Sequence, residues 1–160
     1  MTLTVLAPVP GVVVALDEVP DPVFSDGMVG PGVAVDPPAG PTDGEIDAVA
    51  PIAGTVTSVH AHAFVITSND PDHGERAVLV HLGLDTVQLQ GDGFALHVNQ
   101  GDEVVAGQVL VSWDPNDVEA SGRHAICPVI ALEAFEEEVE RVAAIGAMVD
   151  AGAPLFQLES

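Results

Sequence analysis

The sequence predicts an all-β fold, an antiparallel sandwich or barrel with internal duplication and at most short helices. The first observation is the spacing of apolar residues, because valines recur at every second position in short runs, which is the period of a strand. The second is that proline, glycine, asparagine and aspartate interrupt these runs at intervals of roughly 8–12 residues, as between the strands of a sandwich. With 16 glycines and 13 prolines among 160 residues, the chain is rich in turns without being of low complexity.

Two internal repeats predict that the sandwich consists of two related halves. The pattern Ala-Pro-x-x-Gly-x-Val occurs at residues 7–13 and again at 50–56. A longer pattern, Gly-x-x-Val-x-Ala-Gly-x-x-Leu, occurs at 101–110 and at 146–155. In the longer pattern a glycine can supply the positive φ of a turn before the chain re-enters a strand. We interpret residues 1–160 as a single domain, since no linker separates the halves.

One segment departs from the period of two. Residues 131–144 space their apolar side chains as a helix does: Leu132, Phe135, Val139 and Val142. The sequence therefore predicts a short helix there, with Glu136, Glu137 and Glu138 on its solvated face.

The charge of the chain excludes several classes of function. There are 25 acidic and 3 basic residues, a formal net charge of −22, and none of the basic residues is a lysine. Such a polyanion is not expected to bind nucleic acid or anionic lipid, because phosphate groups are bound through lysine and arginine. Without lysine the chain can form no Schiff base, and it has no attachment site for biotin or lipoate.

The expected compartment is the cytoplasm. A single cysteine, Cys127, excludes an internal disulfide and fits a reducing environment. The apolar N-terminal run lacks a basic region and is interrupted by Pro8, Pro10 and Gly11, so it does not read as a signal peptide. No apolar run reaches the roughly 18 residues of a membrane span, and we expect no membrane insertion. The acidic excess is also consistent with a salt-rich cytoplasm.

Histidines lie on predicted strand faces that point away from the core. Alternation along residues 57–66 assigns the odd positions to the core and leaves a second face with His60, His62 and Phe64. Along residues 77–85 the even positions are apolar, which leaves Leu79, His81 and Asp85 on the second face. A hairpin centred on Pro71 would place His62 directly opposite His81, with Cβ atoms about 4.5–5.5 Å apart.

Two chemistries fit this constellation, and the spacing alone does not separate them. Near neutral pH an imidazole is a nucleophile that can hold a phosphoryl group, and a neighbouring imidazole can hydrogen-bond the phosphoryl oxygens. Alternatively, His60, His62, His81 and Asp85 offer the ligand types of zinc, as in a zinc-dependent hydrolase.

The segment 80–87, Val-His-Leu-Gly-Leu-Asp-Thr-Val, closely resembles the active-site segment of a known family. This family is the glucose-type enzyme IIA component (EIIA, type-1 domain) of the bacterial phosphoenolpyruvate-dependent sugar phosphotransferase system. Residues 21–24, Asp-Pro-Val-Phe, resemble the segment beside its active site, and residues 62–64, His-Ala-Phe, resemble its second-histidine segment. The resemblance extends from about residue 5 to the C-terminus.

The resemblance implies a phosphoryl shuttle. The histidine matching His81 takes a phosphoryl group from the phosphocarrier protein HPr and passes it to a cysteine on the IIB domain of a sugar permease. The histidine matching His62 supports the phosphoryl group without carrying it. No cofactor is required, although His62 and His81 can bind zinc at a partner interface. An apolar patch for partner docking is implied at Phe24, Met28, Val29, Phe64, Leu79 and Val87.

One departure from the family concerns His60, which stands where the family usually has threonine. A third imidazole replaces a hydroxyl there, which alters the hydrogen-bond network and adds a metal ligand.

The zinc-hydrolase alternative has its own motif, because sandwich metallopeptidases use His-x-x-x-Asp followed by His-x-His. Both strings occur here in the reverse order, at 81–85 and at 60–62.

Overall fold

The computed structural model describes residues 2–26, 29–37, 45–68 and 75–159, and every structural statement below concerns these ranges. Within them the chain forms fourteen strands: β1 Thr2–Leu6, β2 Gly11–Ala15, β3 Gly32–Asp36, β4 Ile46–Val49, β5 Gly54–His60, β6 Ala63–Thr67, β7 Ala77–His81, β8 Phe94–Leu96, β9 Glu103–Val104, β10 Val109–Trp113, β11 Cys127–Leu132, β12 Val139–Arg141, β13 Met148–Val149 and β14 Pro154–Glu159. Two short α-helices and three 3-10 turns join them: α1 Pro22–Ser25, α2 Pro115–Ala120, and the turns Leu16–Glu18, Thr86–Leu89 and Glu136–Glu138. The prediction of an all-β fold with at most short helices is confirmed.

The strands form one large sheet and two small ones, all antiparallel. The large sheet has eight strands in the order β13-β2-β3-β11-β7-β6-β5-β9, and the small sheets have the orders β1-β14-β12 and β4-β10-β8. Side chains from all three sheets meet in the main core, where Phe64, Trp113 and Phe156 are each at most 1% exposed. Burial of each such side chain stabilises the fold by about 1.5–3 kcal/mol, which is what holds the layers together.

The predicted internal duplication is visible in the order of the large sheet. Read from either edge, the sheet gives β13 and β9, then β2 and β5, then β3 and β6, with β11 and β7 at the centre. The repeated sequence motifs occupy equivalent places, because Gly11 pairs with Val149 and Gly54 pairs with Val104. The two sequence repeats therefore correspond to two structural halves.

The predicted helix at 131–144 is absent, and the segment contributes to two strands instead. Its first two residues complete β11 opposite β7, and the chain then turns at Glu133, whose φ is 57°. Only the 3-10 turn Glu136–Glu138 is helical, and the following residues form β12 against β14. Backbone pairing with two distant strands outweighs the local helical spacing of a short segment.

A second, smaller apolar cluster covers the outer face of the large sheet. It contains Leu16, Val19, Phe24, Ala34, Leu84, Ile126 and Ile130. Leu79 of β7 packs against it, so this cluster lies beside the end of the strand that carries His81.

The longest of the described α-helices, α2, has six residues, so none of them has the length needed to span a bilayer.

Candidate active site

The hairpin predicted for the two histidine-bearing segments is present, but its register differs by one residue. β6 and β7 are antiparallel neighbours, with Ala63 opposite His81. His62 precedes β6, and its carbonyl oxygen accepts the backbone N–H of Leu82 at 2.7 Å. The predicted direct opposition of His62 and His81 is therefore wrong, although their ring centroids still lie 5.2 Å apart.

The register differs because residues 57–66 are not one strand. β5 ends at His60 and β6 begins at Ala63, and these two residues pair with each other. Ala61 and His62 form the turn between the strands, so the alternation of faces restarts after the turn. His62 consequently stands at a hairpin tip, half-buried, rather than on a continuous strand face.

Neither phenylalanine of the docking patch that the resemblance implies is exposed. Phe64 is 1% exposed, because the restarted alternation turns it toward the main core. Phe24 of α1 is 7% exposed and belongs to the outer apolar cluster. Its ring meets the ring of His81 edge-on, with centroids 5.4 Å apart. Phe24 therefore forms one wall of the site, whereas Phe64 supports the strand from behind.

The imidazole of His81 is held by one hydrogen bond to the backbone. Its Nδ1 atom lies 2.5 Å from the carbonyl oxygen of Gly83. A carbonyl oxygen can only accept a hydrogen bond, so Nδ1 carries the proton and Nε2 of the neutral ring keeps its lone pair. The hydrogen bond thus leaves Nε2 as the nucleophilic atom.

The protonation of His81 is controlled by opposing effects. Burial lowers the pKa of this imidazole from its ordinary value of 6.5, because the buried site disfavours the charged ring. The hydrogen bond to Gly83 and the carboxylates of Asp21 and Asp85 oppose this shift. The net shift is downward, which keeps the ring neutral and nucleophilic near pH 7.

The loop after β7 is packed tightly against the rest of the fold. Gly83 has a φ of +82°, and a Cβ at this position would lie 2.8 Å from Cγ2 of Thr86 and 2.9 Å from the carbonyl oxygen of His124. The hydroxyl of Thr86, which is fully buried, donates to the carbonyl oxygen of Leu82 at 2.8 Å. The carbonyl that holds His81 is therefore part of a crowded and well-anchored turn.

His60 and His62 lie side by side at the end of the hairpin. Their rings are stacked, with centroids 5.8 Å apart and planes inclined by 27°. Burial, followed by repulsion from His81 and then from His60, lowers the pKa of His62 to about 4. His62 is thus a neutral hydrogen-bonding group at pH 7, whereas the ring of His60 is exposed to solvent.

The other residues predicted for the site fall into three environments. Asp85 is exposed and has a left-handed backbone with a φ of 59°. Leu79 and Val29 are partly buried against the outer apolar cluster, while Val87 is 59% exposed beside the site. Met28 lies outside the described residues.

Three further residues belong to the site, and sequence reasoning did not assign them a role. Asp21 caps α1 by accepting the N–H of Val23 at 3.0 Å, and Val23 is 50% exposed. Asp followed by Pro is a recognisable helix start, so a local signal for Asp21 existed. Arg123 donates to the carbonyl oxygen of Asp85, and no local sequence signal could have revealed this contact, which spans 38 residues.

The zinc alternative has no support in the arrangement of the ligands. Among the described residues, no three His, Cys, Asp or Glu side chains are arranged to hold a metal ion. His62 and His81 alone offer two imidazoles, so a tetrahedral zinc ion bound there would need its remaining ligands from elsewhere.

Fold and site together define a class of protein. It is a duplicated antiparallel β-sandwich with two neighbouring histidines on the outer face of the large sheet, one of which is held by a hydrogen bond to the backbone. A family model matches residues 3–137, and its description is phosphoenolpyruvate-dependent sugar phosphotransferase system, EIIA 1. The chain belongs to this family, so it is a phosphoryl-carrying component of the sugar phosphotransferase system.

Individual relatives agree with this assignment. A PTS system glucose-specific EIIA component from Oceanobacillus iheyensis is 40% identical over 130 residues, which cover 80% of this chain and 73% of the relative. A beta-glucoside-specific EIIBCA component from Bacillus subtilis is 41% identical over 142 residues, which cover 88% of this chain but only 22% of the relative. In such relatives the similar region is one part of a much longer protein.

The structural comparison agrees as well. Glucose permease IIA from Mycoplasma capricolum superposes with a TM-score of 0.82 at 33% identity, over 99% of this chain and 97% of that one. A metalloprotease, pseudoalterin, superposes with a TM-score of 0.50 at 12% identity. The second likeness shows a related fold and nothing about activity.

Proposed function

We propose that Nε2 of His81 accepts a phosphoryl group from HPr and passes it to the IIB domain of a sugar permease in the cytoplasm. One observation carries this proposal, namely the hydrogen bond between Nδ1 of His81 and the carbonyl oxygen of Gly83. This hydrogen bond keeps the proton of the neutral ring on Nδ1, so Nε2 has a free lone pair and can act as a nucleophile without an additional base.

The transfer is a displacement at phosphorus. Nε2 of His81 forms a bond to phosphorus while the bond between phosphorus and the donor breaks, and the reverse exchange follows with the acceptor. The neighbouring ring of His62 is neutral at pH 7 and can donate one N–H to a phosphoryl oxygen. The dianionic phosphoryl group will raise the pKa of His62, so this ring becomes a better donor once the group is bound.

The partners are supported by the relatives and by charge. Some relatives are single proteins with EIIB, EIIC and EIIA parts, which supports a IIB-type acceptor. HPr as the donor follows from the family resemblance. Two exposed valines, Val23 and Val87, flank the site, and Asp21 and Asp85 lie close enough to affect the pKa of His81. A partner with an apolar centre and a basic rim would complement such a surface.

The test is phosphoryl transfer from radiolabelled phosphoenolpyruvate through enzyme I and HPr. The protein should take up one phosphoryl group in an acid-labile, base-stable linkage, and His81→Ala should take up none. His62→Gln should accept the group and pass it to IIB slowly, because an oxygen contact in the transition state is weakened. His97→Gln is the matched control, since His97 directly follows β8 of a small sheet and hydrogen-bonds Ser112. Normal labelling of His81→Ala would show that the phosphoryl group is carried elsewhere.

A further inference from the structure

Arg123 connects the end of α2 to the loop that follows His81. It follows α2, and its Nε donates to the carbonyl oxygen of Asp85 at 3.2 Å. Its Nη2 donates to Oε1 of Gln88 at 2.8 Å, and its Nη1 donates to the carbonyl oxygen of Ser121 at 3.3 Å. One planar guanidinium therefore links the end of α2 to both ends of the segment 85–88.

The segment that Arg123 holds begins two residues after the carbonyl that orients His81. Asp85 has a left-handed backbone, with a φ of 59° and a ψ of 16°, a conformation that is uncommon for non-glycine residues and that the hydrogen bond from Arg123 supports. The adjacent N–H of Leu84 donates to the carbonyl oxygen of His124 at 2.8 Å. Residues 123 and 124 thus fix the chain directly after Gly83 by two hydrogen bonds, one to Leu84 and one to Asp85.

From these contacts we infer that Arg123 is a positioning residue for phosphoryl transfer. By holding the left-handed backbone of Asp85, it fixes the direction of the Gly83 carbonyl and thereby the tautomer of His81. Arg123 does not touch the reacting atoms. The inference rests on the proposed function, because it assigns Arg123 a role in that same transfer.

The other arginines are engaged elsewhere and provide a control. Arg141 forms an ion pair with Glu136 at 3.0 Å and donates to the carbonyl oxygen of Gly32 at 3.3 Å. Arg141 thus resembles Arg123 in having both side-chain and backbone partners, but neither partner of Arg141 lies in the loop after His81. Arg141→Met removes the same chemical group from the protein without loosening residues 83–88.

The experiment compares Arg123→Met, Arg123→Lys, Gln88→Ala and Arg141→Met in the full chain. The tautomer of His81 is observed by nitrogen NMR in the unphosphorylated proteins, and kcat and KM for HPr are measured in the transfer assay. Arg123→Met should populate the tautomer protonated at Nε2 and lower kcat by about tenfold, with KM nearly unchanged, because a small misplacement of the nucleophile costs rate. Arg123→Lys and Gln88→Ala should show the same change to a smaller extent, since lysine keeps a cationic donor without the planar fork and Gln88→Ala removes one of the three hydrogen bonds. Arg141→Met should match the parent.

The outcomes separate this inference from the proposed function. A folded Arg123→Met variant with the parental tautomer and kcat overturns the inference. If that variant does not fold, parental values in both Arg123→Lys and Gln88→Ala overturn it. If the parent protein itself takes up no phosphoryl group at His81, the proposed function fails, and the tautomer comparison still decides whether Arg123 orients His81.

Discussion

The Nδ1 atom of His81 lies 2.5 Å from the carbonyl oxygen of Gly83, a residue whose backbone has a φ of +82°. The positive φ of Gly83 and the hydrogen bond that it accepts are connected, because the sharp turn directs the carbonyl back at the imidazole two residues earlier. A side chain at position 83 would collide with Thr86 and with the backbone of His124. Gly83, which orients the His81 imidazole, is therefore constrained both by its backbone conformation and by its neighbours.

Replacing Gly83 should damage both stability and transfer. Gly83→Ala adds a Cβ that would lie 2.8 Å from Cγ2 of Thr86, in a backbone conformation that alanine disfavours. We expect a decrease in the free energy of unfolding of about 1–3 kcal/mol and a loss of transfer from HPr of at least about tenfold. Urea unfolding and the labelling assay measure these two effects.

The control for this variant is Gly93→Ala. Gly93 has a φ of +87°, but no atom outside the adjacent residues lies within 4 Å of the Cβ that alanine would add. The free energy of unfolding of Gly93→Ala should therefore fall by only about 1 kcal/mol, from the unfavourable backbone conformation alone. The variant should transfer the phosphoryl group at nearly the parental rate. Equal losses of transfer in the two variants would contradict a specific role for the Gly83 carbonyl.

Acidification should destabilise the fold partly through His62. Its pKa is about 4 in the folded protein against 6.5 for an ordinary histidine, so between these values the unfolded chain binds more protons. The free energy of unfolding therefore falls as the pH falls from about 7 toward 4. His62→Gln should lose less stability over this range than the parent does. The difference between the two losses should be no more than about 1 kcal/mol, because the ring of His62 is partly exposed and its charge is screened by solvent.

Urea unfolding at pH 7 and pH 5 tests this expectation. His97→Gln is the matched variant, since glutamine at position 97 can still hydrogen-bond Ser112. A His62→Gln protein as sensitive to acid as the parent would contradict the lowered pKa.

His60 should modulate its neighbour without being required for transfer. Repulsion from His60 contributes to the low pKa of His62, so His60→Thr should raise the pKa of His62 above its value of about 4. Because threonine is the residue that the family usually has here, the transfer rate should stay within about threefold of the parental rate. Such a change corresponds to less than about 1 kcal/mol in the activation free energy. Proton NMR titration and the labelling assay measure the two quantities, and a variant that accepts no phosphoryl group would make His60 indispensable.

Long-range attraction should contribute to docking with HPr. Asp85→Asn removes one carboxylate near His81 while keeping a residue that tolerates a left-handed backbone. At low salt we expect KM for HPr to rise about 2–5-fold with little change in kcat, and the pKa of His81 to fall further. The difference in KM should shrink at about 0.5 M salt, where exposed charges are screened, and a salt-independent difference would argue for a direct contact instead.

Some features of the fold follow from short-range patterns. Period-two alternation identified β7 and its outward-facing His81, and the repeated glycine motifs predicted the two halves that appear in the order of the large sheet. These features are local, since side-chain direction in a strand depends on the residue spacing alone. The sequence by itself also determined the family, because the segment around His81 is distinctive.

Other features were decided only by the tertiary structure. The turn at Ala61 and His62 divides a predicted strand, shifts the register by one residue and turns Phe64 into the core. Pairing with β7 and β14 replaces the predicted helix at 131–144. Arg123 reaches Asp85 across 38 residues of sequence. Register, strand pairing and such contacts depend on where distant segments meet, and local spacing does not contain that information.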